Sequence, residues 1–459
     1  MTYEDVLSFC EEQDVRFIRL SYFDIYGRQK NVSVLPTELK RAFTEGISFD
    51  ASAIDGFLDE VHSDLFLFPD PNTMSILPWR SMDGSVIRMY CDIQYPDGTP
   101  FERDVRYILR KAVKKAKEMG IREEDILDFS ANISPLGLPE HIRQAMVKAI
   151  DQTINYPDPD CSRLKEAISK EDAVSETKIA CGNGGADLLY RLAFGLQPKK
   201  VLLPAPAFVE YEEALSAAGA QIEYYRMTED FIIKEDILEQ ITEDTDFVVI
   251  CNPNNPTGIL TERERILRIL ERAEKTKTFV LVDECFLEIC KNEKEYTVKP
   301  FIEKYEHLII LKSFTKLYAI PGVRLGYILA GSEKVIERVN RAGQAWSVSH
   351  IAQCAGVAAL ADNIYKEKVI DTVAEELAYM KKEFYKLPVV LYDGAANYLF
   401  FRTPEITDLD KQLEGHGIMI RNCSNYENLG RDYWRVAVKA HEENKKLIKA
   451  LRMILKGEE

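Results

Sequence analysis

Ser313-Phe314-Thr315-Lys316-Leu317-Tyr318-Ala319-Ile320-Pro321-Gly322-Val323-Arg324-Leu325-Gly326-Tyr327 follows the uninterrupted apolar run Leu308-Ile309-Ile310-Leu311. The lysine sits just beyond a buried strand, with hydroxyls one and three residues before it and an arginine eight residues after it. Such a lysine suits an amine that forms an imine beside a phosphate. An amine attacks an aldehyde only when unprotonated, which favours an enclosed, partly desolvated setting. Lys316 is the candidate aldehyde carrier, and Ser313, Thr315 and Arg324 are candidates to hold the phosphate, the arginine supplying a planar, permanently charged fork. The competing reading is an exposed loop lysine near a surface ion pair, and the rest of the chain decides between the two.

Four signals precede the lysine. Cys181-Gly182-Asn183-Gly184-Gly185-Ala186-Asp187 lies between a strand-like segment and an apolar helix, where glycines let backbone N–H groups crowd a phosphate at a helix N-terminus. In Pro206-Ala207-Phe208-Val209-Glu210-Tyr211, Phe208 is placed to stack on a pyridine ring. Asn252-Pro253-Asn254-Asn255-Pro256-Thr257-Gly258 has two prolines that fix an irregular loop presenting Asn255, whose amide can donate to a phenolate oxygen. Leu281-Val282-Asp283-Glu284 ends a buried strand on a carboxylate, and a buried Asp283 needs a partner such as a pyridinium N–H.

Between residues 121 and 340 helical patterns alternate with short apolar runs, among them 201–203, 247–251, 279–283 and 308–311. This pattern predicts an α/β fold, a mostly parallel sheet with helices on both faces. Helical stretches at 333–341, 351–361 and 365–387 then lead into a small carboxy-terminal α+β domain over 341–459, with which residues 121–150 can pack.

Taken together, these motifs resemble the fold type I pyridoxal phosphate enzymes of aminotransferase class I and II over roughly residues 121–455. The branch they look most like contains histidinol-phosphate aminotransferase and threonine-phosphate decarboxylase. Asp128-Phe129-Ser130-Ala131-Asn132, Tyr156-Pro157-Asp158-Pro159-Asp160 and Ile420-Arg421-Asn422-Cys423-Ser424-Asn425-Tyr426 look closest to the decarboxylase side. The resemblance implies pyridoxal 5'-phosphate as cofactor, Lys316 as its Schiff-base lysine, Asp283 as partner of the ring nitrogen and Asn255 as donor to the ring hydroxyl. It places Gly185, Ala186, Ser313, Thr315 and Arg324 on the phosphate, with Phe208 stacked on the ring. It also implies that Tyr156 reaches the phosphate of a facing subunit, hence a homodimer or larger homo-oligomer, and that Arg435 and Asn132 bind the substrate. Phe286 departs from the pattern, standing where many aminotransferases place a tyrosine.

Residues 1–120 read differently. Arg16–Asp24 and Asn31–Val34 alternate polar and apolar positions around Ile25-Tyr26-Gly27-Arg28, a β-hairpin pattern. Strands are expected near 65–68, 75–78 and 86–93, a short helix near 37–45 and a longer one over 107–119, ending at Gly120. Phe23-Asp24-Ile25-Tyr26-Gly27, Phe49-Asp50-Ala51-Ser52-Ala53-Ile54-Asp55-Gly56-Phe57 and Leu77-Pro78-Trp79 resemble the β-grasp domain of glutamine synthetase. That family's glutamate-rich metal motif is missing, so ligase activity is not expected. No Gly/Ser- or Pro-rich linker separates the two modules, so they are expected to be docked.

The 59 basic and 75 acidic residues give a net charge of −16, which argues against nucleic acid or anionic membrane as a partner. Nine scattered cysteines without a C-x-x-C pair argue against a disulfide framework or zinc site and fit a reducing cytoplasm. An acidic start, Met1-Thr2-Tyr3-Glu4-Asp5, and the lack of a long apolar run give no sign of a signal peptide or membrane span.

The leading functional reading is an aminotransferase acting on a small amino-acid substrate that can carry a phosphate. A decarboxylase of the threonine-phosphate type uses the same residues and is the alternative. A third reading is a regulatory or scaffolding protein in which the β-grasp module dominates and the cofactor site is vestigial.

Overall fold

The computed structural model describes residues 2–24, 29–51, 54, 64–77, 84–101, 104–108, 110 and 126–457. Outside the described residues lie the predicted turn Ile25-Tyr26-Gly27-Arg28, most of the loop from Ser52 to Phe57, Pro78 and Trp79, nearly all of the helix expected over 107–119, and the boundary at Gly120. The chain divides into two compact units, Met1–Asp125 and Ile126–Glu459.

In the first unit, β1 (Val15–Phe23), β2 (Gln29–Val34), β3 (Ile47–Asp50), β4 (Asp64–Pro69), β5 (Ser75–Ile76) and β6 (Ser85–Gln94) form one sheet. Its order is β2-β1-β6-β4-β3, with β5 also on β6. β1 and β2 pair antiparallel from Ile18↔Val34 to Phe23↔Gln29, the hairpin that the alternation predicts. Alternation also sorts β6: Ile87, Met89, Cys91 and Ile93 share a core with Val6, Cys10, Leu39 and Ala42 of the two covering helices.

The second unit opens with β7 (Leu127–Asp128). It continues through β8 (Ile179–Gly182), β9 (Lys200–Ala205), β10 (Gln221–Arg226), β11 (Phe247–Cys251), β12 (Phe279–Asp283), β13 (Leu308–Ser313) and β14 (Gly326–Ala330). These seven strands form a sheet in the order β10-β9-β11-β12-β13-β14-β8. From β10 to β13 the pairing is parallel, whereas β14 is antiparallel to both of its neighbours. Both faces are covered, which is why the central strands read as continuous apolar runs. Val280 and Val282 pack with Ile266, Ile269 and Leu270 of the helix Arg263–Thr276, while Leu281 points the other way to Leu188 and Leu192 of the helix Gly185–Leu196.

A second layer follows. β15 (Val390–Tyr392), β16 (Tyr398–Arg402), β17 (Ile418–Met419), β18 (Arg421–Asn422) and β19 (Tyr433–Ala437) give an antiparallel sheet β15-β16-β19-β18, while β17 pairs with β7. The β7–β17 pairing builds residues 127–128 into this layer, where Phe129 shares a core with Met380, Phe384 and Trp434.

One feature of β13 is not apolar. Lys312 is fully buried, its Nζ 3.3 Å from Glu288 Oε1 and 3.8 Å from both Asp172 Oδ1 and Glu293 Oε1. Lys366 joins Glu288 to Glu171, and Lys299 grips Asp172 at 2.7 Å. Burial pushes the Glu288 carboxyl up, but the charges of Lys312, Lys366 and Lys299 outweigh it and hold it down, to about 2. The folded-state value lies below the unfolded 4.5, so the stabilisation is complete above pH 4.5 and is lost as pH falls through about 2. Glu288→Gln leaves the buried Lys312 and the half-buried Lys366 each short of a partner and is expected to cost about 3–5 kcal/mol at neutral pH. Denaturant unfolding followed by circular dichroism should show the variant and the parent converging as pH approaches 2.

Candidate active site

The carboxyl ends of β8, β11, β12 and β13 meet at one edge of the sheet, the usual ligand position in open α/β folds. Cys251 is in register with Asp283, Asp283 with Leu311, Ser313 with Gly326, and Gly326 with Gly182. The residues at these strand ends surround a cavity of about 550 Å³. Asn132, Gly185, Ala186, Phe208, Asn255, Asp283, Ser313, Thr315, Lys316, Arg324 and Arg435 all line it. Tyr156 does not. It is 81% exposed, and its ring packs on Trp346 with centroids 4.7 Å apart.

Lys316 lies in the one-turn helix Phe314–Leu317, which the Ser313 hydroxyl caps by accepting from the Thr315 N–H at 3.3 Å. The Ser134 N–H donates to the Lys316 carbonyl at 2.9 Å, tying the turn to the segment that follows Asn132. Burial pulls the Lys316 pKa below the ordinary lysine range; Cys285 and Asp283 oppose this, while Arg435 and Arg324 reinforce it. The amine is thus easier to deprotonate than a free lysine.

Asp283 accepts from the Tyr211 hydroxyl at 2.6 Å and from the Cys285 N–H at 2.8 Å. Burial pushes its carboxyl above the usual range, against these two hydrogen bonds. A third donor, from a ligand cation, would complete the acid's environment.

The anion cradle is built from backbone. The helix Gly185–Leu196 starts at the cavity wall, so its first N–H groups lack helical partners there. Gly184 has φ +88°, and a Cβ on it would lie 2.6 Å from Arg324 Nη2; a Cβ on Gly326 would lie 3.1 Å from the Gly185 nitrogen. Side chains at either position would displace the arginine or close the helix end. Ser313 Oγ and Thr315 Oγ1 are 2.8 Å apart beside this space.

Arg435 is buried and held from three sides. It donates to Asn255 Oδ1 at 2.5 Å and to the Ser130 carbonyl at 2.9 Å. With its amide oxygen turned to the guanidinium, Asn132 accepts from Arg435 Nη1 and Nε, both at 3.2 Å. Because Arg435 takes the oxygen of Asn255, the donor end of that amide is the end available to a phenolate. Phe286 sits edge-on to Tyr398 at 5.3 Å, with Lys316 Nζ 5.5 Å from the Phe286 ring centre.

Among the lining residues that were not expected, two bear on the chemistry of the site. Arg421 lines the wall, bonded to Asn425 Oδ1 at 2.9 Å with its guanidinium 5.6 Å from the Tyr426 ring. Its signal was present in Ile420-Arg421-Asn422, where an arginine closes an apolar-ended segment. Tyr211 also lines the wall, and no local pattern announces its bond to an acid 72 residues away. Among the described residues, no group of three or more His, Cys, Asp or Glu side chains is placed to hold a metal ion, and no helix is long and apolar enough to cross a membrane.

Comparison with known proteins adds to this geometry. Residues 124–453 match the family described as aminotransferase class I and II, and residues 14–96 match the β-grasp domain of glutamine synthetase. The chain is 35% identical to the threonine-phosphate decarboxylase of Salmonella typhimurium over 346 residues, covering 74% of this chain and 94% of that one. It is 29% identical to the histidinol-phosphate aminotransferase of Methanocaldococcus jannaschii over 350 residues, 74% of this chain and 92% of that one. The crystal structure of the histidinol-phosphate aminotransferase from Clostridium acetobutylicum superposes with a TM-score of 0.69 at 28% identity, covering 72% of this chain and all of that one.

Proposed function

The chain belongs to the aminotransferase class I and II family, and from that premise we propose that it removes the α-carboxylate of a small phosphorylated amino acid. It is a pyridoxal 5'-phosphate-dependent enzyme. The cofactor supplies a ring aldehyde for an amine and an electron-withdrawing ring that takes up the charge left when a bond at the substrate's α-carbon breaks.

The residues present fit that group. The backbone cradle at Gly184, Gly185 and Ala186, with Ser313, Thr315 and Arg324, suits its phosphate; Asp283 suits its ring nitrogen; the Asn255 amide suits its ring hydroxyl; and Phe208 suits its ring face. Lys316 would take the aldehyde, and its amine would carry a proton to or from the substrate's α-carbon.

The substrate class rests on one observation: besides Arg324, assigned here to the cofactor's phosphate, two further arginines, Arg421 and Arg435, line the cavity. Two fixed forks suit two anionic groups, a carboxylate and a phosphate. The 35% identity with a threonine-phosphate decarboxylase, over nearly its full length, favours loss of the carboxylate. Transfer of the amino group is the second reading, favoured by the bond between Arg435 and Asn255. An arginine held against Asn255 would fix a bound carboxylate on the side of that amide and so would leave the α-hydrogen as the group to depart. If Arg435 takes the phosphate instead, the carboxylate is free to stand out of that plane.

Incubation with L-threonine O-phosphate is expected to release carbon dioxide in step with an amine product. Transfer of the amino group to a keto acid without carbon dioxide would establish the second reading instead. Tyr156 acts in this proposal across a homodimer. Its exposed ring packs on the half-exposed Trp346, and Val147, Ile150 and Ile154 in the preceding residues are also large apolar side chains open to solvent, as expected of a surface that a second copy covers.

A further inference from the structure

Tyr211 touches two of the three residues assigned above to the cofactor ring, Asp283 and Phe208. It is 1% exposed on the helix Val209–Ala217; its hydroxyl donates to Asp283 Oδ2 at 2.6 Å, and its ring meets Phe208 edge-on with centroids 5.7 Å apart. We infer that Tyr211 is a positioning residue that keeps the Asp283 carboxylate charged and aimed while fixing the plane of Phe208 above the same ligand. The inference rests on the reading of Asp283 as partner of the ring nitrogen.

A buried tyrosine needs an acceptor for its hydroxyl, and a backbone carbonyl would serve for packing alone. Here the acceptor is an acid that must stay ionised in a dry site. Burial pushes the Asp283 carboxyl up, and hydrogen bonds to its charged form from Cys285 and Tyr211, with the charge of Lys316 behind them, pull it back. The ionisable groups facing it are Tyr211 from its helix, Cys251 from β11, Cys285 from the loop after β12, and Lys316 from the one-turn helix. Of the two donors bonded to it, the Cys285 N–H belongs to the backbone, so the Tyr211 hydroxyl is the one that a substitution can delete. The edge-on contact gives the phenol ring a second role. A shift of Tyr211 toward or away from Asp283 moves the surface against which Phe208 rests.

Cofactor-free parent, Tyr211→Phe and Asp283→Asn proteins, titrated with pyridoxal 5'-phosphate by intrinsic fluorescence, test this directly. Tyr211→Phe is expected to weaken binding roughly tenfold to a hundredfold, the worth of one hydrogen bond to a charged group. Substrate KM should stay near that of the parent. Infrared spectra of the cofactor-free Tyr211→Phe protein at neutral pH should show a protonated carboxyl band that the double variant with Asp283→Asn lacks. Binding within twofold of the parent and no such band overturn the inference. Parent-like binding by Asp283→Asn overturns instead the reading on which it rests. If Tyr211→Phe does not fold, 3-fluorotyrosine at position 211 replaces it: a stronger donor in the same shape should tighten binding, and weaker or unchanged binding overturns the proposal.

Discussion

Lys316→Ala is expected to lower turnover roughly 10⁴-fold, the upper end of what one positioned proton carrier contributes, while leaving the protein folded. The variant removes a buried amine whose charged form burial disfavours, so its melting temperature should not fall. Every contact assigned to the phosphate, ring nitrogen and ring hydroxyl remains, so the cofactor should still bind, now without a covalent link. Borohydride reduction followed by peptide mass mapping checks this. The parent should carry the cofactor on the peptide containing Lys316, and the variant on none. Added small amines, which can enter a cavity of about 550 Å³, should restore part of the rate. A variant with more than a hundredth of parental turnover would show that the proton is carried elsewhere.

How far the sequence reveals this site depends on how local each signal is. Asp283 is legible because it closes the apolar run 279–282, and Ser313 and Lys316 because they follow within five residues of the run 308–311; such runs in alternation with helices imply parallel strands ending at one edge. Asn255 is legible because paired prolines mark an irregular loop directly after a strand. β10 is not legible: Gln221-Ile222-Glu223-Tyr224-Tyr225-Arg226 occupies a sheet edge, where polar residues are tolerated and the apolar run disappears. β14 is hidden for another reason. Gly326–Ala330 continues directly from the lysine–arginine motif, and nothing in its composition says that it runs antiparallel.

Lys312 shows the limit most clearly, since a lysine at the end of an apolar run reads as the point where a strand leaves the core. Only the acids that fold around it, from residues 172, 288 and 293, make its burial tolerable. Arg421 and Tyr211 fall in the same class. The role of Tyr211 comes from an acid 72 residues away, and that of Arg421 from a cavity whose other walls are distant in the chain, neither of which periodicity encodes.

Asp283→Asn is the second large effect expected, a fall in kcat of roughly 10³-fold, equivalent to about 4 kcal/mol and within the range for breaking a buried charge pair by removing one partner. The carboxylate offers two oxygens to the Tyr211 hydroxyl and the Cys285 N–H, and in the proposed site it would also serve a third donor, the ring nitrogen. An amide offers one oxygen and two donors of its own, so at least one of the three loses its partner and the ring nitrogen faces no negative charge. Without that charge the ring holds its proton less firmly and accepts electrons less well. Arg421 and Arg435 are untouched, so the loss should fall on kcat and hardly on KM. A cofactor analogue methylated on the ring nitrogen carries a fixed positive charge and does not need the acid, so it should recover a measurable part of the lost rate in the variant and give the parent no gain. A variant that keeps a tenth of parental kcat, or one that the methylated analogue does not improve, would mean that the ring nitrogen does not face this acid.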